Sequence, residues 1–259
     1  GFDGGDPILL TPEDAHHYFC RPIKMGPVFA SSGEYFVDSF STVSQAPTVV
    51  IRRADGSEVA QVITADTKRL SAAGWKPPGI FTVKAADKST DLYGVVYKPE
   101  GQRLGEQFPV IEYTYPGPQG SYAPKGFVEG LLMGGLVDKQ MIETQRVAVI
   151  IVDGRGTSGR DKAFRYAFWG REDVFGAEDH KVALENLAAQ DSSLDINRVG
   201  VVGVSYGGYG AARAALLYPE FYKVCVSIAG SHNYRYSGNP GIKRMFGIPG
   251  PKGEGDPLT

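Results

Sequence analysis

Arg198-Val-Gly-Val-Val-Gly-Val-Ser-Tyr-Gly-Gly-Tyr209 is the stretch on which the reading of this 259-residue chain turns. An apolar, valine-rich run enters Gly203-Val204-Ser205-Tyr206-Gly207, and an alanine-rich helical stretch follows. This is G-x-S-x-G set between a strand and a helix, the context in which a serine is presented as a nucleophile. Side chains at either glycine would collide with neighbouring backbone, and the serine itself occupies a strained turn. The turn lifts the Ser205 hydroxyl above the sheet edge, and a helix starting at Tyr206 points its free N–H groups toward a developing oxyanion. Ser205 is therefore the expected nucleophile, forming an acyl-enzyme, and the backbone N–H of Tyr206 is an expected oxyanion donor. The competing reading is a tight strand–helix turn with an incidental serine.

Outward from this turn, strands are expected at 80–84, 92–98, 110–115, 147–153, 199–204 and 224–229. Helical patterns fall at about 126–145, 176–189 and 206–218. Early strands at hairpin spacing, followed by strand–helix alternation, predict an α/β domain with a mostly parallel sheet flanked by helices. In the 176–189 helix, Val182, Leu184, Leu187 and Ala188 are expected on the packed face. Residues 1–74 read differently. Runs at 34–41, 48–53 and 58–63, with a hairpin turn at Ala54-Asp-Gly-Ser57, are β-rich. A short helical stretch, 65–73, ends at Gly74, and Lys76-Pro-Pro-Gly79 marks a rigid linker. The expected division is 1–74 and 75–259.

Composition narrows the function classes. A net charge of −2 supplies no basic surplus for phosphates, which weighs against nucleic-acid binding. The longest apolar runs, such as 147–152, have strand length, so no membrane span is expected. No dinucleotide fingerprint, P-loop or zinc spacing is present, and no cofactor or metal is implied. Cys20 and Cys225 lack metal or redox spacing and are expected as small core residues. His16 and His17 lie in the β-rich segment without metal-ligand spacing.

Ser205-Tyr-Gly-Gly-Tyr209 resembles the elbow of the prolyl oligopeptidase family of serine peptidases, in its dipeptidyl peptidase IV-like branch. The likeness continues in order along the chain. Lys98-Pro-Glu-Gly101 and Phe108-Pro-Val-Ile111 resemble the family's opening strands, and Tyr113-Thr-Tyr-Pro-Gly-Pro-Gln119 resembles its Y-x-G-P loop. Val152-Asp-Gly-Arg-Gly-Thr157 is similar to its D-x-R-G loop, and Asp179-His180 and Asp195-x-x-Arg198 resemble the approach to the elbow. The resemblance implies an α/β-hydrolase fold over 75–259, preceded over 1–74 by the tail of a β-propeller and its exit linker. Gly33-Glu-Tyr-Phe-Val-Asp38 is similar to the last blade of bacterial members. It implies hydrolysis of short peptides and a second oxyanion donor in the Tyr115 hydroxyl. It also implies that Tyr234 and Tyr236 contact substrate.

Asp153 and Arg155 are expected to brace a loop beside the site rather than to react. His180 precedes the serine, against the order Ser, acid, His of α/β-hydrolases, and is expected on the surface or packing a helix. After Ser205 the sequence holds His232, which the resemblance places near substrate rather than in the triad. The family's acid and base follow later strands, so the chain is expected to be truncated at its C-terminus, to lack two triad residues and to turn over little as it stands. Ser237, Gly241 and Lys243 depart from the family's aromatic and acidic pocket pattern, which leaves proline preference open. An esterase or acyl-peptide hydrolase on the same elbow is one alternative, although no HGGG-type loop is present. A non-catalytic binding member is the other. A homodimer of the full-length protein and a periplasmic, secreted or cytoplasmic location all stay open.

Overall fold

A computed structural model of the protein describes residues 4–18, 29–132, 139–169 and 176–233. The polypeptide forms two compact units. The first comprises Gly1–Pro78 and Pro124–Leu136, the second Gly79–Ala123 and Val137–Thr259.

In the first unit, β1 (His16–Tyr18), β2 (Tyr35–Ser41), β3 (Thr48–Arg53) and β4 (Glu58–Thr64) form an antiparallel sheet in sequential order. The β3–β4 hairpin closes through the expected turn, where Ser57 N donates to Asp55 Oδ1 at 2.9 Å. Alternation along β2 and β3 buries Phe36, Phe40 and Val50 on one face. Asp38 and Arg52 share that burial. Arg52 Nε donates to Asp38 Oδ2 at 2.9 Å and Arg52 Nη2 to Glu13 Oε1 at 2.7 Å, while His17 Nδ1 lies 2.9 Å from Asp38 Oδ1. Burial opposes these charges, but the hydrogen bonds and mutual attraction prevail. Arg52 is held above its ordinary value and Glu13 below its own. This cluster ties the segment before β1 to the sheet. Helices α1 (Lys68–Ala72) and α2 (Phe127–Leu132) complete the unit.

The second unit contains β5 (Gly79–Lys84), β6 (Asp91–Tyr97), β7 (Phe108–Tyr113), β8 (Ala148–Val152), β9 (Leu194–Val204) and β10 (Tyr222–Ile228). The sheet order is β10-β9-β7-β8-β6-β5. β7 pairs in parallel with β8 and β9, and β9 with β10, whereas β5–β6 and β6–β8 are antiparallel. Only β6 therefore runs against the rest, and the sheet is mostly parallel as expected. Its helices are α3 (Lys139–Gln145), α4 (Lys162–Arg165), α5 (Ala177–Gln190) and α6 (Tyr206–Leu217). β8 is buried at all five positions, as a strand covered on both faces must be. Leu184 and Leu187 of α5 and Ala211 and Ala214 of α6 pack with Val110, Ile150 and Val201 in one apolar cluster.

Two expectations require correction. α5 buries Asp179 and His180 alongside Ala183, Leu184 and Leu187, while Val182 is only half-buried. His180 is thus buried where α5 packs, the second of its two expected places, and not on the surface. Its Nδ1 lies 2.5 Å from Glu112 Oε1, and Tyr222 Oη donates to Glu112 Oε2 at 2.7 Å. Both Glu112 oxygens and the Tyr222 hydroxyl are thereby paired, as burial requires, while His180 Nε2 is buried without a hydrogen-bond partner. Among the described residues β10 is the edge strand and shows solvent at every position after Tyr222, so Cys225 is exposed there rather than core. Cys20 lies outside the described residues.

Both buried charge clusters have measurable consequences. Arg52→Met should leave the Asp38 carboxylate buried without its cation and cost about 3–5 kcal/mol, read as a lower denaturation midpoint. Burial alone would lower the pKa of His180, but the charge and hydrogen bond of Glu112 outweigh it and hold the imidazole above its ordinary value near 6.5. The pair's contribution should be complete below that value and decline as pH rises through the raised pKa. The urea midpoint should therefore fall between pH 6 and alkaline pH in the native protein, and His180→Gln should flatten that fall.

Candidate active site

The end of β9 turns into α6 through a single residue. Ser205 has φ 57° and ψ −120°, a conformation that L side chains rarely adopt, and it caps the helix. Such strain persists only where the surroundings over-determine it. Here Ser205 N donates to Ile228 O at 2.8 Å, which ties the turn to the end of β10, and Tyr209 N donates back to Ser205 O at 3.2 Å. The flanking glycines fit for lack of a side chain. A Cβ on Gly203 would run into the Gly207 carbonyl and lie 2.8 Å from Thr114 O, and one on Gly207 would run into Thr114 O. The serine side is exposed, while Gly207 through Gly210 are buried. The hydroxyl of Ser205 is thus accessible at the carboxyl end of a parallel strand, where open α/β sheets carry their sites.

Tyr206 is the first residue of α6, so its N–H has no intrahelical acceptor. Tyr115 follows β7 by two residues, and its Cδ2 would stand 3.1 Å from a Cβ at Gly207. The loop carrying Tyr115 therefore touches the elbow directly. Gly117 of the same loop lies against the Tyr206 ring, and Gln119 Nε2 donates to Pro116 O at 2.8 Å to close the turn. The structure brings Ser205, Tyr206 and Tyr115 to one place. Tyr234 and Tyr236 lie outside the described residues.

Asp153 and Arg155 do brace loops, but through separate partners. Asp153 accepts from Ser121 Oγ at 2.5 Å, Tyr122 N at 2.7 Å and Ala123 N at 3.2 Å. Arg155 grips the buried Asp179 through Nε and Nη2, both at 2.8 Å, and reaches Asp87 Oδ2 at 3.0 Å. The guanidinium is held above its ordinary value, chiefly by that hydrogen bond. Each of the four histidines has another partner. His16 Nε2 lies 3.7 Å from Glu129 and His17 faces Asp38. His180 bonds Glu112, and His232 Nε2 lies 3.0 Å from Ser227 Oγ.

Sequence spacing did not reveal the cluster of Glu13, His17 and Asp38, whose ligand atoms lie within 4.8 Å of one another. The Arg52 guanidinium already engages both carboxylates, so the chemistry of the group is that of a compensated ion cluster rather than a metal centre. Residues 21 positions apart in sequence meet there only through strand pairing.

The sheet order, the strained serine turn and the glycine-walled helix start define an α/β-hydrolase domain. Residues 137–241 match the prolyl oligopeptidase family. Dipeptidyl peptidase 8 of Mus musculus is 29% identical over 175 residues, which is 64% of this chain and 19% of that protein. Prolyl endopeptidase FAP of Homo sapiens is 23% identical over 163 residues, 63% of this chain and 20% of that protein. A Bacteroides ovatus protein assigned as a dipeptidyl aminopeptidase IV superposes with a TM-score of 0.77 at 26% identity, covering 95% of this chain and 33% of that one. The match places residues 137–241 in the prolyl oligopeptidase family, and the relatives and the structural neighbour support a dipeptidyl peptidase IV-like member. It spans about a fifth of the length of the curated relatives it matches. No described helix is long and apolar enough to cross a membrane.

Gly207→Ala tests the elbow packing. The new methyl would press on the Thr114 carbonyl, and overpacking of this kind costs about 1–3 kcal/mol. A lowered denaturation midpoint together with loss of serine reactivity is the expected outcome.

Proposed function

We propose that the protein containing this chain is a serine peptidase acting on short peptides, as a dipeptidyl- or oligopeptidase, with Ser205 as its nucleophile. The observation that carries this reading is the exposed serine held at φ 57° between β9 and α6, on a turn whose glycines leave no room for side chains. In this reading Ser205 Oγ attacks the scissile carbonyl and forms an acyl-enzyme, releasing the amine, and water then releases the acyl group. The negative charge that develops on the carbonyl oxygen is met by the N–H of Tyr206 and the hydroxyl of Tyr115. Fixed donors of this kind stabilise the transition state without reorganisation. The contact of the Tyr115 loop with Gly207 supports that pairing.

None of the four histidines is assigned as the general base, since each is engaged elsewhere. Tyr234 and Tyr236 are proposed to contact substrate on the strength of the family resemblance alone. On the same footing, the four-stranded sheet of the first unit is read as the tail of a β-propeller. The names of the relatives, two dipeptidyl peptidases and a prolyl endopeptidase, support a peptide substrate over a simple ester.

A fluorophosphonate probe applied to the full-length protein tests the nucleophile. Label on the Ser205 peptide that disappears in Ser205→Ala is expected, together with loss of dipeptidyl amide hydrolysis. A folded full-length protein that takes up no label would leave a binding protein in place of an enzyme.

A further inference from the structure

The phenol of Tyr115 must be held still to be of use, because a donor helps only if it stands where the oxyanion will form. The edge of its ring reaches Gly207, and its face is covered by a second aromatic ring. Tyr115 and Tyr122 are stacked, with centroids 4.1 Å apart and planes inclined by 22°. Tyr122 is itself fixed from behind. Its N–H and that of Ala123 donate to Asp153 Oδ1, and Ser121 Oγ donates to Oδ2. One carboxylate thus holds three consecutive residues. A further bond, Ser158 N to Gly120 O at 3.1 Å, joins the same two loops. The anchor is firm in turn, since Asp153 directly follows β8, its N–H donates to Tyr93 O at 3.2 Å, and it is 9% exposed.

We propose that Tyr122 is a positioning residue, which, clamped to Asp153, stacks on Tyr115 and sets its hydroxyl against the oxyanion. The chain of contact runs from a core strand through a hydrogen-bonded loop to a ring and then to the reacting donor. The stack uses the face of Tyr122, and a side-chain hydrogen bond between the two phenols adds a second contact. Burial, then the neighbouring Tyr115, push the Tyr122 phenol up to about 12, so the ring stays neutral over the working range and adds no charge beside the oxyanion. The proposal rests on the reading of Tyr115 as an oxyanion donor.

The test is the rate constant for phosphonylation of Ser205 by a fluorophosphonate in the full-length protein, with unfolding midpoints recorded alongside. Tyr115→Phe should react about 100-fold more slowly. Tyr122→Leu should react about 10- to 100-fold more slowly, as misplacement of a reacting group by about an ångström does. Tyr122→Phe, which keeps the stack and loses only the bond between the phenols, should react faster than Tyr122→Leu. The double variant Y115F/Y122L should be no slower than Y115F, because Tyr122 acts only through the hydroxyl already removed. A purely structural role would instead multiply the two losses. Asp153→Ala is the second variant, with loss expected in the same direction and the same non-additivity with Y115F. If Y115F slows the reaction while folded Y122L or D153A keeps the native rate, or if the losses multiply, this proposal is overturned and the role of Tyr115 stands. If Y115F itself reacts at the native rate, the oxyanion reading fails and this proposal falls with it.

Discussion

Everything at this site hangs on one backbone constraint: β9 has to become α6 within a single residue. That is possible only with Ser205 at positive φ, and the cost of the conformation is borne by its surroundings. The hydrogen bond to Ile228 fixes the turn to β10, and the close approach of Gly203 and Gly207 to Thr114 fixes it to β7. The turn thereby gathers three adjacent parallel strands at their carboxyl ends. The same packing brings the loop of Tyr115 against the helix start, so the candidate nucleophile and its candidate donors are set by one geometry.

Beneath this, the sheet is stabilised by two kinds of interaction. Apolar side chains of β7, β8 and β9 pack with α5 and α6. Within that packing lies a polar link of Glu112, His180 and Tyr222, which joins the central strand to a helix and to the edge strand. Buried charge is costly unless paired, and here each oxygen of the carboxylate has a partner. Such a link favours one register of α5 on the sheet, because a shift would leave a buried carboxylate unmatched. The Arg52 cluster has the same character in the first unit, where two carboxylates engage one guanidinium and the His17 imidazole faces one of those carboxylates.

The loop after β8 divides its polar contacts between two parts of the unit. Asp153 and Arg155 sit two residues apart, yet one carboxylate organises the loop beside Tyr115 and the guanidinium locks onto α5. A single short motif therefore serves both the rim of the site and the core.

The sequence by itself determined the elements whose signals are local. The elbow was legible at Ser205 because glycine spacing, an apolar run and an alanine-rich stretch occur within twenty residues. The parallel sheet followed from strand–helix alternation, and the family from motifs in order. Only the tertiary structure decided what depends on partners far along the chain. Glu112 meets His180 across 68 residues and Tyr222 across 110, a distance at which periodicity carries no information. The apolar alternation of β10 reads as a buried strand, yet among the described residues it is the edge strand, with Cys225 and its neighbours open to solvent. The stack of Tyr122 on Tyr115 was illegible for a related reason: seven residues of loop can take many paths, and it is Asp153, on another strand, that selects this one.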